Sequence, residues 1–144
     1  MVDLAAPVPR RRLRDLTLEL VEIPSPTGDT AEVARRYAQR LEEIGMQVEV
    51  LDERFPATPI VIGRLRGDRP GPTIVLNGHL DTVHLPFFPP RVEDGILYGS
   101  GASDMKGGIA AFVEALRVLR ATDTLPGGGI LRDHRAARRR RWWS

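Results

Sequence analysis

The chain has 144 residues, of which 42% are hydrophobic, and this supplies enough apolar side chains for the core of one ordinary domain. It contains no cysteine, which excludes disulfide bonds and thiolate metal sites, so any bound metal must be held by His, Asp or Glu. The sequence has no run of about 18 apolar residues and no signal-peptide pattern, which predicts a cytoplasmic protein without a membrane partner.

The net charge of +2 is distributed unevenly along the chain. Residues 132–144 hold six arginines and one aspartate, which leaves the remainder mildly acidic. We therefore predict two parts: an ordinary globular segment over residues 1–131 and a basic, disordered tail over residues 132–144.

Two helices are predicted near the N-terminus. Residues 10–21 carry leucines at a spacing near the helical period, and the prolines that follow end this helix. A second helix is expected to begin at Asp29, with Glu32 completing a capping box, and to end at Gly45. Its apolar face is formed by Val33, Tyr37, Leu41 and Ile44.

Strands are predicted to follow the helices. Residues 47–51 alternate apolar and polar side chains as a half-exposed strand does, and residues 60–65 form another strand. The short apolar run at residues 73–76 is typical of a central strand covered on both faces. His79 would then stand at the exit of that strand.

The second half of the chain continues the alternation of strands and helices. Asp94-Gly95 predicts a tight hairpin within residues 92–98, and the apolar spacing over residues 106–119 predicts a helix. The glycine-rich stretch beyond that helix leads into a new strand. This order indicates a single layered α/β unit.

His79 and Asp81 have the spacing of a metal ligand and the carboxylate that orients it. Side chains two residues apart in an extended segment point to the same side. A metal-bound imidazole commonly donates its other N–H to a carboxylate, which fixes its tautomer. The carboxyl end of a strand is also where open α/β sheets place their sites.

Asp104 is a second candidate ligand, because it lies between small residues just ahead of a predicted helix. Glycines on both sides let the backbone approach an ion or a substrate closely. A carboxylate there can span two metal ions, which together polarise a carbonyl and supply a hydroxide nucleophile. Taken alone, Asp104 is better explained as a helix N-cap than as a ligand, and only the joint pattern with His79 and Asp81 favours a metal site.

Taken together, these motifs resemble a known family. The segments N-G-H-L-D-T-V at 77–83, V-E-D-G-I-L-Y-G-S-G-A-S-D-M-K-G-G-I-A-A at 92–111 and V-E-I-P-S-P-T-G-D-T at 21–30 carry the resemblance. They are similar to those of the zinc-dependent deacylases and exopeptidases that include acetylornithine deacetylase, succinyl-diaminopimelate desuccinylase, aminoacylase and glutamate carboxypeptidase. The expected fold is the N-terminal portion of a layered α/β zinc-exopeptidase-like catalytic domain.

The resemblance implies roles for three residues. His79 would bind one of two divalent metal ions, zinc or alternatively cobalt, and Asp104 would bridge both ions. Asp81 would act as the catalytic residue that supports His79. The peptide bond between Asp104 and Met105 would be cis. The substrate would be an N-acyl amino acid or a short peptide cleaved at an amide bond, and an intact member would form a homodimer.

Other elements that the resemblance implies are missing from the sequence. Family members carry a Glu-Glu pair that supplies the general base, then a further acid and a distant histidine. The pair Glu42-Glu43 precedes the His-x-Asp motif on a solvated helix face, and Glu114 lies within a helix. His84 and His134 are poor candidate ligands. Because a catalytic zinc usually takes about three protein ligands, we predict that this chain alone is an incomplete, inactive fragment.

The arginine-rich tail has three interpretations. Its composition is typical of GC-rich coding sequence in a shifted frame, which favours a frameshift near codon 131. Alternatively, Arg138–Arg141 and the tryptophans Trp142 and Trp143 bind nucleic acid in a non-catalytic protein. A third interpretation is a regulatory pseudoenzyme that pairs with an intact relative.

Overall fold

The structure, a computed structural model, describes residues 8–67, 70–83, 86–122 and 129–133. The helices are α1 (Arg10–Glu22), α2 (Ala31–Glu43) and α3 (Gly107–Ala121), and an irregular turn over Ala102–Lys106 precedes α3. The strands are β1 (Gln47–Leu51), β2 (Ile60–Leu65), β3 (Ile74–Gly78), β4 (Arg91–Glu93), β5 (Ile96–Tyr98) and β6 (Gly129–Asp133). No helix in these ranges is long and apolar enough to cross a membrane.

Helix α1 confirms the helix predicted from the leucine spacing. Leu16 and Leu20 are buried on its inner face, and Leu13 packs against the same core. The helix ends at Ile23, which is extended, as expected of a residue that precedes a proline.

Helix α2 is also confirmed, but the predicted capping box is wrong. The N-cap residue is Thr30 and no side chain caps the helix. The backbone N–H of Asp29 instead donates to the carbonyl of Pro26, 2.8 Å away, so Asp29 belongs to the preceding turn. At the other end Gly45 has a φ of 78°, which stops the helix as predicted.

Four of the strands form one mixed sheet in the order β1-β2-β6-β3. β1 and β6 both pair antiparallel with β2, and β3 pairs parallel with β6. The prediction that β3 is a central strand covered on both faces is wrong. β3 is at the edge of the described sheet, and its Ile74 and Val75 are 56% and 58% exposed. An apolar, β-branched run indicates a strand but not which neighbours cover it.

A single hydrophobic core joins the helices to the sheet, which confirms the layered α/β unit. Helix α2 packs on β1 and β2, α3 packs on β3, and α1 packs against the other two helices. The core includes Leu41 of α2, Val61 of β2 and Val113 of α3. Leu80, just beyond β3, is 1% exposed and belongs to the same core, so the chain that leaves β3 is firmly anchored.

The predicted hairpin is confirmed as the two-stranded sheet β4–β5. Asp94 and Gly95 both have a positive φ, 50° and 79°, as a tight turn of this kind requires. The Arg91 guanidinium stacks on the Tyr98 ring at 4.5 Å from its centroid.

The strand predicted beyond the glycine-rich stretch is confirmed as β6, which lies between β2 and β3. β6 runs to Asp133 and so includes the first two residues of the basic tail. Residues 134–144, on which the frameshift and nucleic-acid interpretations depend, lie outside the described residues.

Candidate metal centre

His79 and Asp81 lie together at the carboxyl end of β3. The strand ends at Gly78, so His79 is the first residue beyond it. Nδ1 of His79 is 3.1 Å from Oδ1 of Asp81 and 3.0 Å from the Asp81 carbonyl oxygen. Leu80 between them packs into the core, so the alternation expected from the sequence holds. The Asp81 side chain is 4% exposed and the His79 side chain 16% exposed.

Asp104 reaches the same place from the irregular turn ahead of α3. The turn is closed by the backbone N–H of Lys106, which donates to the Gly101 carbonyl at 2.9 Å. Gly101 has a φ of 81°, and a Cβ there would lie 2.5 Å from the Thr82 side chain. Asp104 has non-helical dihedral angles, and the Asp104–Met105 peptide bond is cis, as the resemblance implies.

The Asp104 side chain is 77% exposed, and its Oδ1 lies 3.0 Å from Nε2 of His79. Although 25 residues separate them in sequence, the imidazole stands between two carboxylates. The structure therefore brings all three predicted site residues together.

The contacts of the imidazole fit a metal ligand. Because Nδ1 faces only acceptor oxygens, it carries its proton toward Asp81, and Nε2 of a neutral ring is then an acceptor. Nε2 and the Asp104 carboxylate would be two acceptors at 3.0 Å, an arrangement that requires a proton or a metal cation between them.

The donor set is only part of a complete metal site. No cluster of three or more His, Asp or Glu side chains suited to a metal ion occurs among the described residues. Glu42 and Glu43 are exposed, as predicted, and Glu43 pairs with Arg40. Glu114 is buried and paired with two arginines. His84 and His134 lie outside the described residues.

Lys106 anchors the turn that carries Asp104, a role that the sequence did not predict. Its side chain is fully buried, and its Nζ donates to the Ile23 carbonyl at the end of α1, at 2.8 Å. Burial lowers the pKa of Lys106 from 10.5 to about 8. No local signal in the sequence could have identified this contact, because lysine is rarely buried and its partner lies 83 residues away.

The loop between α1 and α2 is bound to the segment that follows β3. Ser25 Oγ donates to the Leu80 carbonyl at 2.8 Å, and the Thr82 N–H donates to the Ser25 carbonyl at 2.8 Å. In the same loop Thr27 Oγ1 donates to Oδ2 of Asp81 at 2.6 Å. The sequence marked this stretch only by its likeness to the opening of the family and assigned it no role.

Two adjacent glycines at the start of α3 allow a matched test of how tightly the Asp104 turn is packed. A Cβ on Gly107 would lie 2.6 Å from the Ala102 carbonyl oxygen, a backbone atom of the turn, whereas a Cβ on Gly108 meets only the Met105 side chain at 3.6 Å. We expect Gly107→Ala to lower the free energy of unfolding by about 1–3 kcal/mol. Gly108→Ala is expected to be neutral or to stabilise by up to about 1 kcal/mol, since alanine favours a helix. Urea denaturation of both variants checks this, and equal effects would contradict it.

An α/β fold with a histidine between two carboxylates at the carboxyl edge of its sheet has the ligand types of a hydrolytic metal centre. Comparisons with known proteins agree with this class. Residues 75–131 match the sequence profile of peptidase family M20/M25/M40. The succinyl-diaminopimelate desuccinylase of Methylobacillus flagellatus is 38% identical over 118 residues, which cover 76% of this chain and 30% of that protein.

Solved structures of the same family share the fold. The aminopeptidase PepT from Bacillus cereus superposes with a TM-score of 0.72 at 28% identity, covering 86% of this chain and 36% of that one. A Bacillus subtilis protein described as a dinuclear metal binding peptidase of the M20 family superposes with a TM-score of 0.57 at 20% identity, covering 88% of this chain and 35% of that one.

Residues 75–131 carry part of a peptidase M20 family domain, and the similarity to the relatives covers only the N-terminal part of such proteins. The chain spans about a third of the length of the relatives that it matches. The family resemblance stated from the motifs and the truncated α/β fold class are thereby confirmed.

Proposed function

We propose that this chain supplies one part of the active site of a metal-dependent hydrolase that cleaves amide bonds in N-acyl amino acids or short peptides. The observation that carries the proposal is the position of the His79 imidazole, with Nδ1 facing Asp81 and Nε2 facing Asp104 at 3.0 Å. The relatives named above, a desuccinylase and an aminopeptidase, both act on bonds of this class.

In the proposed site His79 and Asp104 would hold divalent metal ions, zinc in the first place and cobalt as the alternative. Asp81 keeps the proton of His79 on Nδ1, so that Nε2 offers its lone pair as a ligand. Asp104 has a second carboxylate oxygen with which it can reach a second ion. Two such ions would polarise the scissile carbonyl and lower the pKa of the attacking water.

The described residues do not supply a general base. The Glu114 carboxylate is 2% exposed and already pairs with Arg12 and Arg117, so it is not open to a water molecule at the site. We propose that the base and the remaining ligands belong to a part of the family's catalytic domain that residues 1–131 do not include. An intact enzyme of this kind would be a cytoplasmic homodimer, and we propose residues 132–144 as a basic tail whose first two residues extend β6.

The 144-residue chain is expected to be inactive when purified and supplied with zinc or cobalt. Two protein ligands and no base among the described residues would leave metal binding weak and water activation without a proton acceptor. The measurement is the release of product from an N-acyl amino acid and from a dipeptide, with and without a chelator. Chelator-sensitive hydrolysis by the chain alone, at the rate of a complete relative, would show that the site is not partial.

The proposed chemistry is tested by a chimera. Residues 10–122 replace the matching segment of the Methylobacillus flagellatus desuccinylase, whose remaining residues then complete the site. We expect metal-dependent amide hydrolysis by the chimera. A chimera that folds with the circular dichroism spectrum and thermal stability of its parent but binds no metal would contradict the proposal.

A further inference from the structure

Thr27 makes a contact with the proposed metal centre that none of the roles above includes. Its hydroxyl donates to Oδ2 of Asp81 at 2.6 Å, the short distance typical of a hydroxyl that donates to a charged carboxylate. Oδ1 of the same carboxylate lies 3.1 Å from Nδ1 of His79, whose hydrogen bond is with the Asp81 carbonyl oxygen at 3.0 Å. A continuous series of contacts therefore runs from Thr27 through Asp81 and His79 to Asp104.

The backbone around Thr27 holds the hydroxyl in place. Thr27 is the second residue of a four-residue turn, which is closed by the hydrogen bond from the Asp29 N–H to the Pro26 carbonyl. Gly28, the third residue, has a φ of 101°, as a type II turn requires. Pro26 also forms a parallel bridge with Thr82, the residue after Asp81, which fixes the start of the turn beside Asp81.

The carboxylate needs such a partner because its own torsion is weakly restrained. The terminal torsion of an aspartate is broad and roughly two-fold, so burial alone does not decide where each oxygen points. A donor on Oδ2 fixes this rotation and directs Oδ1 at the imidazole. It also satisfies part of a carboxylate that is 4% exposed.

We infer that Thr27 is a positioning residue of the metal centre, which fixes the Asp81 carboxylate and through it the tautomer and orientation of the His79 ring. This inference rests on the proposed function, because the orientation of Nε2 has a role only if Nε2 binds a metal ion. The contacts of Thr27, Asp81 and Nδ1 of His79 involve no metal ligand atom, so part of the test requires no metal.

The test uses the 144-residue chain, labelled with nitrogen-15 at histidine. In the metal-free chain we expect a His79 Nδ1–H resonance that is protected from solvent exchange by Asp81. Thr27→Val, which keeps the shape of threonine and removes the hydroxyl, is expected to broaden or abolish that resonance, and so is Thr27→Ala. Thr27→Ser, which restores a hydroxyl, is expected to keep it.

Thr58→Val is the matched control. Thr58 lines the same small pocket beside Asp81 as Thr27 does, and its hydroxyl donates no hydrogen bond to the described residues. We expect Thr58→Val to leave the resonance unchanged. Zinc titration followed on the His79 ring signals should give about a tenfold weaker affinity for Thr27→Val than for the unsubstituted chain.

The inference is overturned if Thr27→Val keeps the protected Nδ1–H resonance, if Thr58→Val loses it equally, or if the unsubstituted chain never shows it. Zinc that leaves the His79 signals of the unsubstituted chain unmoved contradicts the proposed metal site. That result is distinguishable, because the comparison of Nδ1–H resonances is made without metal.

Discussion

Removing both arginines that pair with Glu114 is expected to lower the free energy of unfolding by about 3 kcal/mol or more, because it leaves a buried carboxylate without compensation. Glu114 of α3 is 2% exposed at its side chain. Its Oε2 lies 3.2 Å from Arg12 Nε and its Oε1 3.2 Å from Arg117 Nε. The two arginine side chains are 51% and 37% exposed. Most of the expected loss of stability therefore comes from the buried, unpaired carboxylate.

The variant Arg12→Ala/Arg117→Ala is compared with the same variant carrying Glu114→Gln as well. The third substitution removes the buried charge, and we expect it to restore most of the lost stability in urea denaturation. Arg11→Ala is the surface control, since Arg11 is 86% exposed and pairs with Asp15 at 3.5 Å, a contact worth at most about 1 kcal/mol. A triple variant no more stable than the double variant would show that the arginines contribute by packing rather than by charge.

Local patterns predicted the elements of this fold and part of its site. The leucines of α1, the Asp94-Gly95 turn and the two-residue spacing of His79 and Asp81 each act within a few residues, and the sequence displays such relations directly. The wrong predictions concern which segment of the chain lies next to a residue or a strand. The predicted capping box at Asp29 is wrong because the Asp29 N–H closes the preceding turn. The predicted central position of β3 is wrong because β3 lies at the edge of the described sheet.

The contacts that the sequence did not predict join distant segments. Lys106 reaches the end of α1 across 83 residues, and Thr27 reaches Asp81 across 54. No repeating pattern in the sequence predicts a contact of a buried lysine amine or of a hydroxyl with a carboxylate. The partner of each group depends on how α1, the loop that follows it and the Asp104 turn pack together. The same packing brings Asp104 to His79, which only the family resemblance had linked.

In the desuccinylase chimera, His79→Ala is expected to lower kcat/KM by at least about a thousandfold, since the metal contribution is worth several kcal/mol and each 1.4 kcal/mol is about tenfold. Metal content should fall together with activity, because His79 is the one histidine among the described residues that contact each other at the site. Asp81→Asn is expected to have a smaller effect, about 10–100-fold in metal affinity, because Asp81 acts through the His79 ring.

Ser103→Ala is the control for these substitutions, because Ser103 is exposed and adjacent to Asp104 in the same turn. We expect it to keep both metal content and kcat/KM, whereas Asp104→Ala should lose both as His79→Ala does. The measurements are metal analysis of the dialysed chimeras and initial rates with the substrate of the parent enzyme. If the His79→Ala chimera retained its metal and its rate, His79 would not be a metal ligand. Its contacts at Nδ1 and Nε2 would then only hold the Asp104 turn against the end of β3.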